Sequence, residues 1–137
     1  MKYDIKIIPH KEQQYETCGN WWFDNQSDPV SAETVLKIRV SKLGNEDYEN
    51  LIVEHEMAEA LLCLKRGINQ KDVTAFDKTF EEARIKYPTL FGELEPGDHP
   101  LSPYRNEHTF AERMIEQPLA GALGVDWGEY TKACNEL

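Results

Sequence analysis

His55, Glu56 and Glu59 lie in the stretch Leu51-Ile52-Val53-Glu54-His55-Glu56-Met57-Ala58-Glu59-Ala60-Leu61-Leu62-Cys63. On an α-helix, side chains four residues apart leave the same face, so the imidazole of His55 and the carboxylate of Glu59 could close on a single cation. That face is also the apolar one, because Tyr48, Leu51, Ile52, Ala58 and Leu62 share its stripe at helical spacing. A lone carboxylate among aliphatic groups is costly unless it is paired, protonated or bound to a metal. The pattern therefore demands a partner for Glu59.

A second stretch supplies candidates. Glu107-His108-Thr109-Phe110-Ala111-Glu112 repeats the Glu-His-x-x-Ala-Glu form of Glu54 to Glu59, again with His and Glu on the core-facing stripe of an expected helix. Packed together, the two helices would bring His55, Glu59, His108 and Glu112 to one place. Other chemistry-bearing residues are weaker candidates. Asp77 sits on an apolar stripe and is expected to pair with a Lys or Arg. His99 lies in a Gly- and Pro-rich loop and reads as part of a solvated turn, and His10 has no partner in the sequence. Cys63 is two turns from His55 and reads as a small core residue.

Composition narrows the function classes. The 137 residues, 40% hydrophobic, suit one domain with a core of its own. A net charge of −10, from 25 acidic and 15 basic residues, argues against nucleic acid and against an anionic membrane surface as partners. The three cysteines, Cys18, Cys63 and Cys134, form no CxxC pair and indicate neither a disulfide framework nor a thiolate zinc site. Without an apolar leader or a membrane-length run, a cytoplasmic protein is expected.

The elements that must position these side chains can be read in order. Residues 3 to 8 alternate before Pro9, Tyr15 to Phe23 is aromatic-rich, and Leu36 to Val40 resumes the period of two. A small antiparallel sheet within residues 1–42 is the simplest result. Adjacent Trp21 and Trp22 must then face opposite sides of their strand. Asn45 can cap a helix over about 46–66 with Gly67 as its stop, and Asn69 opens another over about 70–87, ended by Pro88. Ser102-Pro103 predicts a helix over 103–117, interrupted by Pro118, and Asp126 caps a last one over 126–135. The fold class is α+β, with the sheet packed on three to four helices.

His55-Glu56-x-x-Glu59 resembles the HExxH helix of zinc metallopeptidases, and a strand leading through a short turn into that helix looks like the minimal zincin fold. The resemblance covers roughly residues 34 to 112. It implies zinc, or another divalent metal, at one ion per chain, with His55 and Glu59 as ligands and Glu56 as general base. By the same carry-over His108 is the third ligand, Glu112 a fourth ligand or an outer partner, and Tyr104 an oxyanion donor. The reaction implied is hydrolysis of a peptide or amide bond in a peptide or protein substrate. The chain departs from the family at Glu59, where an anion replaces a neutral imidazole and lowers the Lewis acidity of the metal. The HExxE helix followed by Pro103-Tyr104-x-x-x-His108 is also similar to small phage- and prophage-borne proteins of unknown role, which implies no activity. The competing class is accordingly a non-enzymatic accessory or interaction protein with a structural or metal-free cluster. A carboxylate-bridged di-iron site fits less well, since it wants Glu-x-x-His on its helices.

Overall fold

Leu36, Ile38 and Val40 alternate with Lys37 and Arg39, and in a strand that alternation gives one face to the core and the other to solvent. The computed structural model describes residues 1–92 and 94–137, so that Glu93, inside the expected Gly92–Pro103 loop, lies outside the described residues. It forms β1 (Lys2–Ile8), β2 (Gly19–Asp24) and β3 (Val35–Ser41) as one sheet in the order β1-β3-β2. β2 pairs antiparallel with β3, setting Trp21 opposite Ile38 and Phe23 opposite Leu36. β1 pairs with β3 in parallel, Tyr3 beside Leu36 and Ile5 beside Ile38. The expected all-antiparallel sheet is thus corrected to a mixed one. Successive strands do reverse direction, but β3 inserts between the first two, and its second neighbour necessarily runs the same way as itself.

Gly44 and Asn45 turn the sheet into the first helix. Gly44 takes a positive φ of 75°, a conformation that costs glycine little. The Asn45 side chain then accepts a hydrogen bond from the Tyr48 backbone N–H, capping α1 (Glu46–Lys65), whose first turn carries Glu46, Asp47 and Glu49 at the positive end of its dipole. α1 lies across β3 and β2. Leu36, Ile38, Val40, Leu51, Ala60 and Cys63 are sealed between them with no exposed surface. β1 is the edge strand beyond β3, and its Tyr3, Ile5 and Ile7 stay open, Tyr3 being 55% exposed.

Further helices follow α1 in the chain. They are α2 (Gln70–Lys86), capped by Asn69, the short α3 (Pro88–Phe91), α4 (Arg105–Phe110), α5 (Gln117–Leu123) and α6 (Trp127–Asn135), capped by Asp126. A 3₁₀ turn, Pro96–Asp98, precedes α4, and a π-helical stretch, Ala111–Glu116, joins α4 to α5. Two expectations change here. Ser102 accepts from the Tyr104 N–H, yet the helix begins only at Arg105. Pro118 does not interrupt the rod; it occupies the first turn of α5, and the wide π turn before it absorbs the backbone bond that proline cannot make. The protein is α+β, and among the described residues no helix is long and apolar enough to cross a membrane.

Strand and helix approach most closely at Gly19. A Cβ there would fall against the Glu56 carboxylate and 2.6 Å from Ile52 Cγ2. Gly19→Ala is expected to cost about 1–3 kcal/mol by forcing β2 and α1 apart. An unchanged denaturation midpoint for this variant would show that the contact constrains nothing.

Candidate metal centre

Three ligand-capable atoms converge where α1 meets α4. His55 Nε2 lies 3.2 Å from Glu59 Oε2 and 3.2 Å from His108 Nδ1, and His108 Nδ1 lies 2.9 Å from Glu59 Oε2. All three residues are buried. Donors at about 2.0–2.1 Å from a tetrahedral zinc stand roughly 3.3 Å apart, so this triangle is within a few tenths of an ångström of a zinc-binding face. Imidazole and carboxylate are also the donors such an ion takes. The residues present fit a divalent cation.

Two of the three, His55 and Glu59, are held by a further group. His55 Nδ1 is 2.6 Å from Glu116 Oε2, and with its proton donated there the lone pair of Nε2 points into the triangle. Glu116 is itself fixed by the Tyr130 hydroxyl, which donates to Oε1 at 2.6 Å. The Trp21 indole N–H donates to Glu59 Oε1 at 2.8 Å, leaving Oε2 for the cluster. Trp21 can do this because it is on the buried face of β2, with Trp22 on the other face, where Arg39 stacks on its ring.

Charge balance inside the cluster is set by competition between burial and pairing. Burial opposes the charged form of His55, but hydrogen bonds to Glu116 and Glu59 outweigh it and hold the imidazole well above its ordinary pKa. Burial likewise opposes the imidazolium of His108, which Asp98, Glu59 and Glu95 nevertheless stabilise. For Glu59 burial favours the neutral acid, and the two histidines reverse that, keeping it ionised below the usual carboxylate range. Glu56 has no such partner. Desolvation, and then the negative charge of Glu59, push its carboxyl well above the ordinary value.

These groups line a cavity of about 370 Å³ together with Trp21, Asp77, Tyr104 and Glu112. Glu56 therefore borders the same space as His55, Glu59 and His108. Glu112 borders it too, but the carboxylate that reaches His55 is Glu116. The π-helical stretch explains the exchange. Its wider turn adds a residue, so Glu116, eight residues after His108, takes the direction that the seventh has in a regular α-helix and returns to the His108 face. Tyr104, expected as an oxyanion donor, has its hydroxyl proton committed to Asp77 Oδ1 at 2.6 Å. Asp77 also accepts from Tyr15 at 2.8 Å, so its partners are two phenols and not the expected Lys or Arg. His99 packs among Phe76, Phe80 and Phe91 instead of standing in solvent, and His10 bonds to Ser41 and Glu16.

Sequence reading did not single out Glu116, Tyr130, Glu95 or Asp98, and treated Trp21 as a core residue. Pro118 is the one local signal for Glu116, since a proline tolerated inside a helical run implies a bulge, and a bulge shifts the register of the residues before it. No protein-family model matches the chain, and no curated protein or solved structure matches it either.

Burial raises the Asp77 carboxyl to about 6 against the hydrogen bonds from Tyr104 and Tyr15. A group that binds its proton more tightly folded than unfolded weakens the fold once ionised. In chelator-treated protein Asp77 should therefore contribute a loss of stability as the pH rises from about 4 through about 6. Asp77→Asn is expected to flatten that part of the stability profile. Asp77→Ala, which leaves the buried Tyr104 hydroxyl without an acceptor while Tyr15 keeps Asn20 Oδ1, should cost about 1–3 kcal/mol. Urea unfolding of the three proteins at several pH values tests both statements.

Proposed function

We propose that this chain is a divalent-metal protein, with zinc as the favoured ion, and that it acts as a small hydrolase of peptide or amide bonds. The observation that carries this reading is the triangle of His55 Nε2, His108 Nδ1 and Glu59 Oε2, with edges of 2.9 to 3.2 Å and a hydrogen-bond partner behind His55 and behind Glu59. The three residues would hold the ion. When bound, it supplies Lewis acidity toward water and toward a carbonyl oxygen.

The chain's own residues then have separate tasks. Glu116 keeps the His55 proton on Nδ1, and Tyr130 keeps Glu116 in place. Trp21 orients Glu59. Glu56 is the general base: it accepts a proton from the attacking water and returns it to the departing amine. A carboxyl whose pKa is raised by burial is suited to both halves of that transfer near neutral pH. Tyr104 positions Asp77 through its 2.6 Å hydrogen bond and has no free proton to offer an oxyanion.

A second reading, a non-enzymatic accessory or interaction protein of the phage type, draws on one specific observation. The carboxylates around His55 and His108 stabilise both imidazolium forms, so the cluster can balance its charge with protons alone. Elemental analysis of protein purified without added metal separates the two. The hydrolase reading expects about one zinc per triangle, lost on His55→Ala together with several degrees of melting temperature. Glu56→Gln should retain the metal and lose at least about a hundredfold in turnover of a generic peptide substrate, because the amide keeps the shape and removes the base. Metal-free wild-type protein, with a His55→Ala variant that binds no less zinc than wild type, would sink the metal reading. Loss of zinc on Glu56→Gln would make Glu56 a ligand.

A further inference from the structure

His108 presents its two ring nitrogens to two different groups of acids. Nδ1 joins His55 and Glu59, whereas Nε2 faces away from them, toward the 3₁₀ turn Pro96–Asp98. There it stands 3.0 Å from Glu95 Oε2 and 3.3 Å from Asp98 Oδ1, and the three atoms lie within 4.8 Å of one another. Nε2 is buried and makes no hydrogen bond, although two carboxylate oxygens are close enough to receive one. Its distances to the two oxygens are those between neighbouring ligand atoms on a common ion.

The turn is shaped to make this approach. Gly97, between the two acids, packs on the imidazole so closely that a Cβ would come 2.6 Å from His108 Nδ1 and 2.8 Å from its Cβ. With no side chain at 97, the carboxylates on either side can reach past the edge of the ring. Glu95 and Asp98 retain solvent access at 59% and 33% side-chain exposure, which gives an ion a way in.

We propose that Glu95, Asp98 and His108 Nε2 form a second divalent-cation site, so that the His108 imidazole bridges two ions, one on each nitrogen. Ligand atoms about 2.1 Å from an ion stand roughly 3.0 Å apart in octahedral and 3.4 Å apart in tetrahedral coordination, which brackets the two distances from Nε2. Two carboxylates and one imidazole suit zinc or manganese. Loading both sites displaces both ring protons of His108, from Nδ1 and from Nε2, to solvent. The second ion is the more exchangeable of the two, because two of its three protein ligands reach solvent. The proposal does not depend on hydrolysis, since it concerns occupancy alone.

The test is a titration of the metal-stripped chain with zinc alone, read by calorimetry and by elemental analysis after desalting, with circular dichroism as the check on folding. Wild type should take up about two equivalents, the second more weakly. Glu95→Gln/Asp98→Asn, whose changes lie on an exposed turn, should keep about one, and His55→Ala/Glu59→Gln should keep the other. Two outcomes would overturn the second site: wild type and the Glu95/Asp98 double variant each binding one equivalent, or that double variant binding none while wild type binds one. Failure of the proposed function has a different signature, in which His55→Ala/Glu59→Gln binds as much zinc as wild type.

Discussion

A carboxylate buried with no water around it is the constraint on which the centre of this protein depends. Glu59 projects from the apolar face of α1 into a space closed by β2, α2 and α4, where an unpaired negative charge would cost several kcal/mol. Three side chains answer that charge. Trp21 satisfies one oxygen, and His55 and His108 converge on the other. The packing of sheet on helix and the packing of helix on helix are therefore coupled through one side chain: Trp21 belongs to the sheet, His55 and Glu59 to α1, and His108 to α4. A shift of any of these elements would leave a buried polar group without its partner.

Around this centre the polar groups are linked rather than scattered. Tyr130 holds Glu116, Glu116 holds His55, and Tyr15 with Tyr104 holds Asp77 on the opposite wall. Such chains are stiff, because moving one member breaks the hydrogen bond of the next in a low-dielectric setting. The elements involved are remote in sequence. The π-helical stretch is part of the arrangement, since it brings Glu116 onto His55 while His108, eight residues earlier, stays on the same side of the rod. Local departure from regular helix here serves the geometry of the cluster.

A divalent ion at this centre would compete with protons for the same atoms. Both histidines are surrounded by acids that favour their charged forms, and a cation must displace those protons before it can use the lone pairs. Glu59 tilts that competition. As an anion it attracts a divalent ion more strongly than a third imidazole would, and for the same reason it leaves the ion a weaker Lewis acid. On the proposed function, binding would thereby be favoured at some expense of catalytic power.

Much of the architecture was legible in local patterns. The period of two marked β1 and β3 and aromatic richness marked β2, Asn45, Asn69 and Asp126 cap the helices they were read to cap, and spacing four on a helix sufficed to align His55 with Glu59. The repeated Glu-His-x-x-Ala-Glu form pointed to His108 as a partner, because a buried histidine on a second inward face has few other places to go. What local pattern could not hold was anything decided between elements. β3 inserts between β1 and β2, making one pairing parallel, and no residue within a strand records its neighbour. Glu116 replaces Glu112 beside His55 because a π turn shifts the helical phase, which four-residue spacing assumes constant. Glu95 and Asp98 reach His108 only because Gly97 lets a turn fold against its ring, a contact across the chain that exists once α4 is in place. The sequence by itself determined which side chains could share a helical face, since backbone geometry fixes their direction; the tertiary structure alone decided which faces meet, because that depends on how the elements pack and not on any one of them.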